Sequence, residues 1–149
     1  MTPSSPRKKR TTATFTEEER AAMREAARER RARARQTPAE ADREVRAKIA
    51  AMGPADRTIA GGIHELVRRH APTLVPRTWY GMPAYARADG EIVCFVQPAG
   101  KFKQRYLTLG FADAARLDDG RMWPTAYAVE ALTPTEESAI AALLRRAVG

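Results

Sequence analysis

Few side chains in this sequence are of types that do chemistry, and their spacing limits what they could do together. His64 and His70 are six residues apart, which puts them on different sides of a helix. They cannot share a metal ion from one helix, and surface or capping roles suit them better. Cys94 is the only cysteine, which excludes an internal disulfide and any zinc site built on paired thiolates. Its setting, Ile92-Val93-Cys94-Phe95-Val96, is that of a small hydrophobe in a strand, with no activating base beside it. Asp118-Asp119-Gly120 offers two adjacent carboxylates before a turn, a weak cation site and first of all a loop signature. Lys101, Lys103 and Arg105 alternate across the expected start of a strand, so they share one face, with Phe102 and Tyr106 on the other. Such a face suits an anionic or planar ligand, and equally guards a strand edge against aggregation. The sequence contains no phosphate-binding glycine loop, no Gly-x-Ser-x-Gly elbow and no His-Glu-x-x-His, which weighs against an enzyme.

The densest cluster is Arg77-Thr78-Trp79-Tyr80-Gly81-Met82-Pro83-Ala84-Tyr85, which holds three of the ten aromatic residues. Neighbours in a strand face opposite ways, so Trp79 is expected in the core while Tyr80, Met82 and Tyr85 line a binding surface. Gly81 and Pro83 interrupt the ladder, predicting a strand that kinks or ends and resumes near Tyr85.

The elements that must position these residues follow from capping and periodicity. Thr16 with Glu19 opens a helix from Glu17 to about Arg35, whose apolar positions are mostly Ala, so it packs loosely or projects. Thr37-Pro38-Ala39-Glu40 opens a second, to about Met52, and Gly53-Pro54 ends it. The third, Pro54 to about His70, carries Ile59, Ile63, Leu66 and Val67 as one apolar stripe. Asp89-Gly90 predicts a tight turn between two strands, followed by strands over 92–96, 104–111 and 126–130. Thr133-Pro134-Thr135-Glu136 opens a C-terminal helix with Ile140, Leu143, Leu144, Ala147 and Val148 on one face. The sum is α+β: an antiparallel sheet with one face covered by the helices of residues 54–70 and 134–148, a two-layer sandwich.

With 149 residues the chain has room for one folded domain plus an extension. The expected division is a basic extension over 1–53, disordered over 1–14 and then helical, and an α+β domain over 54–149. Residues 1–53 hold 14 Lys+Arg against 8 Asp+Glu, so the basic character is concentrated there. Residues 7–35 are the expected place for any nucleic-acid contact. The longest apolar run, Ala139 to Leu144, is far too short to span a bilayer, and no apolar segment follows the basic N-terminus, so a cytoplasmic protein without membrane attachment is expected.

The string Trp79-Tyr80-Gly81-Met82-Pro83-Ala84-Tyr85, followed by Ile92-Val93-Cys94-Phe95, Tyr106-Leu107-Thr108-Leu109-Gly110-Phe111 and the Asp118-Asp119-Gly120 turn, resembles the bacterial YdhG-like family of unknown function over about residues 54–149. The resemblance implies the same α+β sandwich. Through frataxin-like relatives it also implies iron as a conceivable cargo, held by exposed carboxylates, although the corresponding helix has only Asp56 and Glu65 among several Arg. No cofactor follows from the residues themselves. The leading expectation is a non-catalytic binding or accessory protein that holds a small molecule or a partner's segment on its aromatic-walled surface. Frataxin-like iron delivery through Asp118 and Asp119, and nucleic-acid association through the extension, are the alternatives.

Overall fold

The computed structural model describes residues 14–149. Each Thr-x-x-Glu signature starts a helix by satisfying backbone donors that a helix leaves unpaired. Thr16 accepts from the Glu19 N–H at 3.1 Å before α1 (Glu17–Arg33). Thr37 accepts from the Glu40 N–H at 3.2 Å, and the Glu40 carboxylate accepts from the Thr37 N–H, opening α2 (Pro38–Ala50). Pro54 begins α3 (Pro54–His70). The Thr133 N–H donates to Glu136 at 3.2 Å before α4 (Pro134–Ala147). A cap of this kind contributes about 1 kcal/mol, which matters most for α1, where packing adds little.

Five strands form one antiparallel meander in chain order: β1 (Val75–Trp79), β2 (Met82–Ala86), β3 (Ile92–Gln97), β4 (Leu107–Phe111) and β5 (Ala126–Val129). The expected α+β class is therefore the observed one. β1 and β2 join through two residues, Tyr80 and Gly81, at φ of 50° and 75°, with Trp79 paired to Met82. Two left-handed residues match the twist of a two-residue hairpin. The interruption expected at Gly81 is thus the hairpin turn itself. The second hairpin turns at Asp89-Gly90, where Asp89 accepts from the Glu91 N–H at 2.9 Å. Tyr85 pairs with Cys94 but Ala86 with Ile92, so Val93 is an extra, buried residue that bends β3.

The core lies between one sheet face and the helices. Tyr85, Cys94, Val96, Leu107 and Leu109 meet Ile59, Ile63 and Val67 of α3 and Ile140 and Leu144 of α4. Val45 and Ile49 of α2 belong to the same cluster, and α2 packs on β1 and β2. The expected boundary at residue 53 therefore falls inside a continuous core. Only α1 behaves as an extension, since no described side chain of that helix is buried. Residues 1–13, which carry the Arg7-Lys8-Lys9-Arg10 run and nearly all of the segment expected to be disordered, lie outside the described residues.

The strand expected over 104–111 begins only at Leu107. Residues 98–106 instead form a loop, pinned at its start where the Ala99 and Gly100 N–H groups donate to the Asp56 carboxylate, both at 3.0 Å. Lys101, Lys103 and Arg105 therefore do not share a strand face, and Lys103 takes a left-handed conformation (φ 54°). Among the described residues no helix is long and apolar enough to cross a membrane.

Candidate functional site

The strand pleat sorts the aromatic stretch differently from the expectation. Tyr85 points inward and is fully buried; it is not part of a surface. Its hydroxyl lies 2.8 Å from His64 Nδ1, and His64 Nε2 lies 2.9 Å from Asp42 Oδ1. The Asp42 carboxylate can only accept, so neutral His64 carries its proton on Nε2, leaving Nδ1 to accept from Tyr85. Asp42 also accepts from Arg46 Nε at 2.7 Å and pairs with Arg68 at 3.5 Å. Burial lowers the His64 pKa against the opposing pull of Asp42. Burial tends to raise the Asp42 carboxyl, but the hydrogen bond from Arg46, with His64 and the Arg46 charge, holds it below its ordinary value. Burial raises the Tyr85 phenol well above its ordinary range. His64 is therefore neither a surface nor a capping histidine. It joins α2, α3 and β2 in a hydrogen-bonded chain that is buried at Tyr85 and His64 and partly exposed at Asp42, with both His64 ring nitrogens occupied. His70 sits apart, accepting from Arg145 of α4 at 3.0 Å.

This chain has the residue types of a catalytic relay; Tyr85 and His64 are closed to solvent, and only its Asp42 end reaches a surface cavity of about 580 Å³, beside Arg43 and Arg68. Cys94 is also closed to chemistry, since burial pushes its thiol up to about 12.

The opposite face of the sheet is where aromatic surface meets solvent. Trp79 is half-buried on this outer face and its ring centroid lies 5.2 Å from that of Phe95. The two rings lie over small neighbours: Ala84 pairs with Phe95 on one side and Gly110 on the other. A Cβ at Gly110 would come within 2.2 Å of Phe95 Cζ, so glycine is what lets that ring lie flat across β4. Ala126 and Ala128 continue the face as an exposed, low floor. Arg77, two residues before Trp79, stands at the edge of the same face. Its Nη1 donates to the Gly90 carbonyl at 2.6 Å, and its buried Nε has no partner among the described residues.

At the end of this face the Tyr80-Gly81 turn points two consecutive backbone N–H groups the same way. Tyr80 N–H donates to Glu29 Oε2 at 3.3 Å and Gly81 N–H to Glu29 Oε1 at 3.2 Å. Lys101 stands over the turn, its Nζ 2.4 Å from where a Gly81 Cβ would be. Tyr80 is exposed, its ring 5.1 Å from Trp79 and edge-on to it.

Of the expected ligand-binding residues, the structure gathers Tyr80, Met82 and Lys101 here, with Met82 buried beneath rather than lining the surface. Lys103 is exposed in the 98–106 loop, and Arg105 lines a separate groove of about 630 Å³ with Tyr106, Tyr127 and Leu143 between β5 and α4. Asp118 and Asp119 are exposed in the loop before β5. Among the described residues no three His, Cys, Asp or Glu side chains are grouped so as to hold a metal ion. Phe95, Arg77 and Glu29 were missed because their membership depends on strand register and on the docking of α1. Only the adjacency of Trp79 and Tyr80 marked the region. No family model, curated protein or solved structure matches this chain.

Proposed function

We propose that this protein is a non-catalytic binding domain that holds a flat, anion-bearing small molecule against the outer face of its sheet. The observation that carries the reading is the pair Trp79 and Phe95, half-exposed side by side on the face opposite α2, α3 and α4; Arg77 shares that face by strand alternation, its Nη1 directed to the Gly90 carbonyl. Exposed aromatic faces contribute to binding through stacking, and a guanidinium adds attraction for a negative group. Cys94 and His64 are committed to the core, where neither can meet a substrate, which supports binding over catalysis. Membership of the YdhG-like family, bacterial origin and cytoplasmic residence belong to the same proposal and rest on the sequence alone.

The probe 8-anilino-1-naphthalenesulfonate carries both a planar system and an anionic group. We expect saturable fluorescence enhancement with the folded protein, reduced at least about tenfold in affinity in a Trp79→Ala/Phe95→Ala double variant, since base-like stacking on one ring contributes ~1 to 3 kcal/mol. Undiminished probe binding in a folded double variant overturns the reading.

A second reading is favoured by one observation: α1 presents Arg20, Arg24, Arg28 and Arg30 exposed to solvent. We infer nucleic-acid contact there as the alternative, with affinity falling steeply with salt and indifferent to sequence. Retention of binding at high salt after removal of residues 1–35 would exclude it.

A further inference from the structure

The Tyr80-Gly81 turn is already holding an anion. Its two N–H groups engage the two oxygens of one carboxylate at 3.3 and 3.2 Å, and the Lys101 ammonium stands over the same turn. Consecutive backbone donors in a turn form a concavity suited to an anion, and a nearby lysine adds a point charge. The occupant is Glu29, which reaches the turn from α1.

The remainder of α1 gives little reason for this helix to stay in place. Its described side chains are all exposed or at most half-buried; Met23, its one large apolar residue, is 50% exposed, and Phe15, two residues before the helix, is 48% exposed. Its main packing is against β1, and a second carboxylate, Glu25, also comes near the turn, its Oε1 3.7 Å from where a Gly81 Cβ would be. A helix held largely by carboxylates gathered at one turn can be displaced by a ligand that makes the same contact from solution. Beside the turn stand the Tyr80 ring and, beyond it, Trp79, apolar surface that Glu29 itself does not use.

We propose that the Tyr80-Gly81 turn with Lys101 is a binding site for the carboxylate of a small aromatic acid, and that α1 holds it closed by presenting Glu29. The inference rests on the binding-domain reading above and assigns that site its ligand class and its gate. A ligand carboxylate takes the two N–H groups and pairs with Lys101, its ring lies against Tyr80, and α1 is released.

The test uses benzoate as probe on the full chain, with Trp123→Phe as background so that emission reports Trp79. Glu29→Ala tightens benzoate binding, by about tenfold for a turn that Glu29 closes about nine-tenths of the time. Glu29→Gln, which keeps the helix and a neutral acceptor, falls between. In the Glu29→Ala background, Lys101→Ala weakens binding, and benzamide, which lacks the charge, does not saturate. In the unaltered chain, benzoate speeds hydrogen exchange across α1. Equal benzoate affinity with and without Glu29, in variants with unchanged circular dichroism, overturns the gate. Benzamide binding as tightly as benzoate overturns the anion site, and inorganic phosphate binding more tightly than benzoate overturns the ligand class. Loss of the naphthalenesulfonate signal in the Trp79→Ala/Phe95→Ala variant, alongside a Glu29→Ala variant without effect, leaves the binding face standing and removes only this inference.

Discussion

Tyr85→Phe tests the buried chain from β2 through α3 to α2. The substitution removes one oxygen and leaves the ring, so packing around it is preserved. His64 is 1% exposed, and without the phenol its Nδ1 becomes a buried acceptor with no donor. An unpaired buried polar group costs about 1 to 3 kcal/mol, partly offset because the hydroxyl no longer has to be desolvated. For a chain of this size the loss is roughly 3 to 10 °C in Tm. Denaturant unfolding at pH 7.5, with the slope checked for constancy, gives the free-energy difference directly. A Tyr85→Phe/His64→Leu double variant should be less destabilised than the two single losses combined, because both partners of that bond are gone. The pH dependence has a definite sign. Folded His64 titrates below the ordinary 6.5, so the unfolded chain binds the extra proton. Its contribution is full above pH 6.5 and is lost as the pH falls from there through the folded value. Asp42, also lowered, contributes above its ordinary 3.8 and loses that contribution as the pH falls further, through its folded value. A Tyr85→Phe variant within about 0.5 kcal/mol of the unaltered protein would refute the structural role of the hydroxyl.

Three further outcomes follow from the packing. Removing residues 1–35 should leave a cooperative transition, whereas removing 1–53 takes Val45 and Ile49 from the core and Asp42 from His64; two buried aliphatic residues alone exceed about 4 kcal/mol, and thermal unfolding of both truncations separates the cases. Gly110→Ala should force Phe95 off the sheet, since a Cβ there would sit 2.2 Å from its ring, and lower both Tm and naphthalenesulfonate binding; unchanged values would show that the ring moves freely. Cys94, fully buried with its thiol pushed to about 12, should resist iodoacetamide at pH 8 in the folded protein and react in denaturant, as mass spectrometry would record; rapid native alkylation would contradict its placement.

Helix starts were legible because a cap is local chemistry: Thr, Glu and Pro within four residues decide it wherever the chain goes. The stripe of α3 and the face of α4 were legible for the same reason, as periodicity reports which side is buried without saying against what. Strand register is different. Whether Tyr85 faces His64 or solvent depends on a turn that ends β1 at Trp79 and restarts the ladder at Met82. Trp79 is expected inward and Tyr85 outward; the structure keeps them on opposite faces but exchanges the faces, because alternation relates neighbours to one another and does not say which face the helices cover. The 98–106 loop was hidden likewise, since its alternating basic residues look like a strand until Asp56, 43 residues away from Ala99 in sequence, takes its first N–H groups. Composition also understated α2: Val45 and Ile49 are few, and only the space left over β1 and β2 by α3 and α4 makes them core residues. Caps and periodicity alone settle where helices begin, which of them are amphipathic and that the class is α+β. The tertiary structure decided which aromatic rings are surface, which histidine is core and which carboxylate sits on the hairpin turn, because each depends on groups far apart in the chain meeting at a distance of about 3 Å, the range in which hydrogen bonds act.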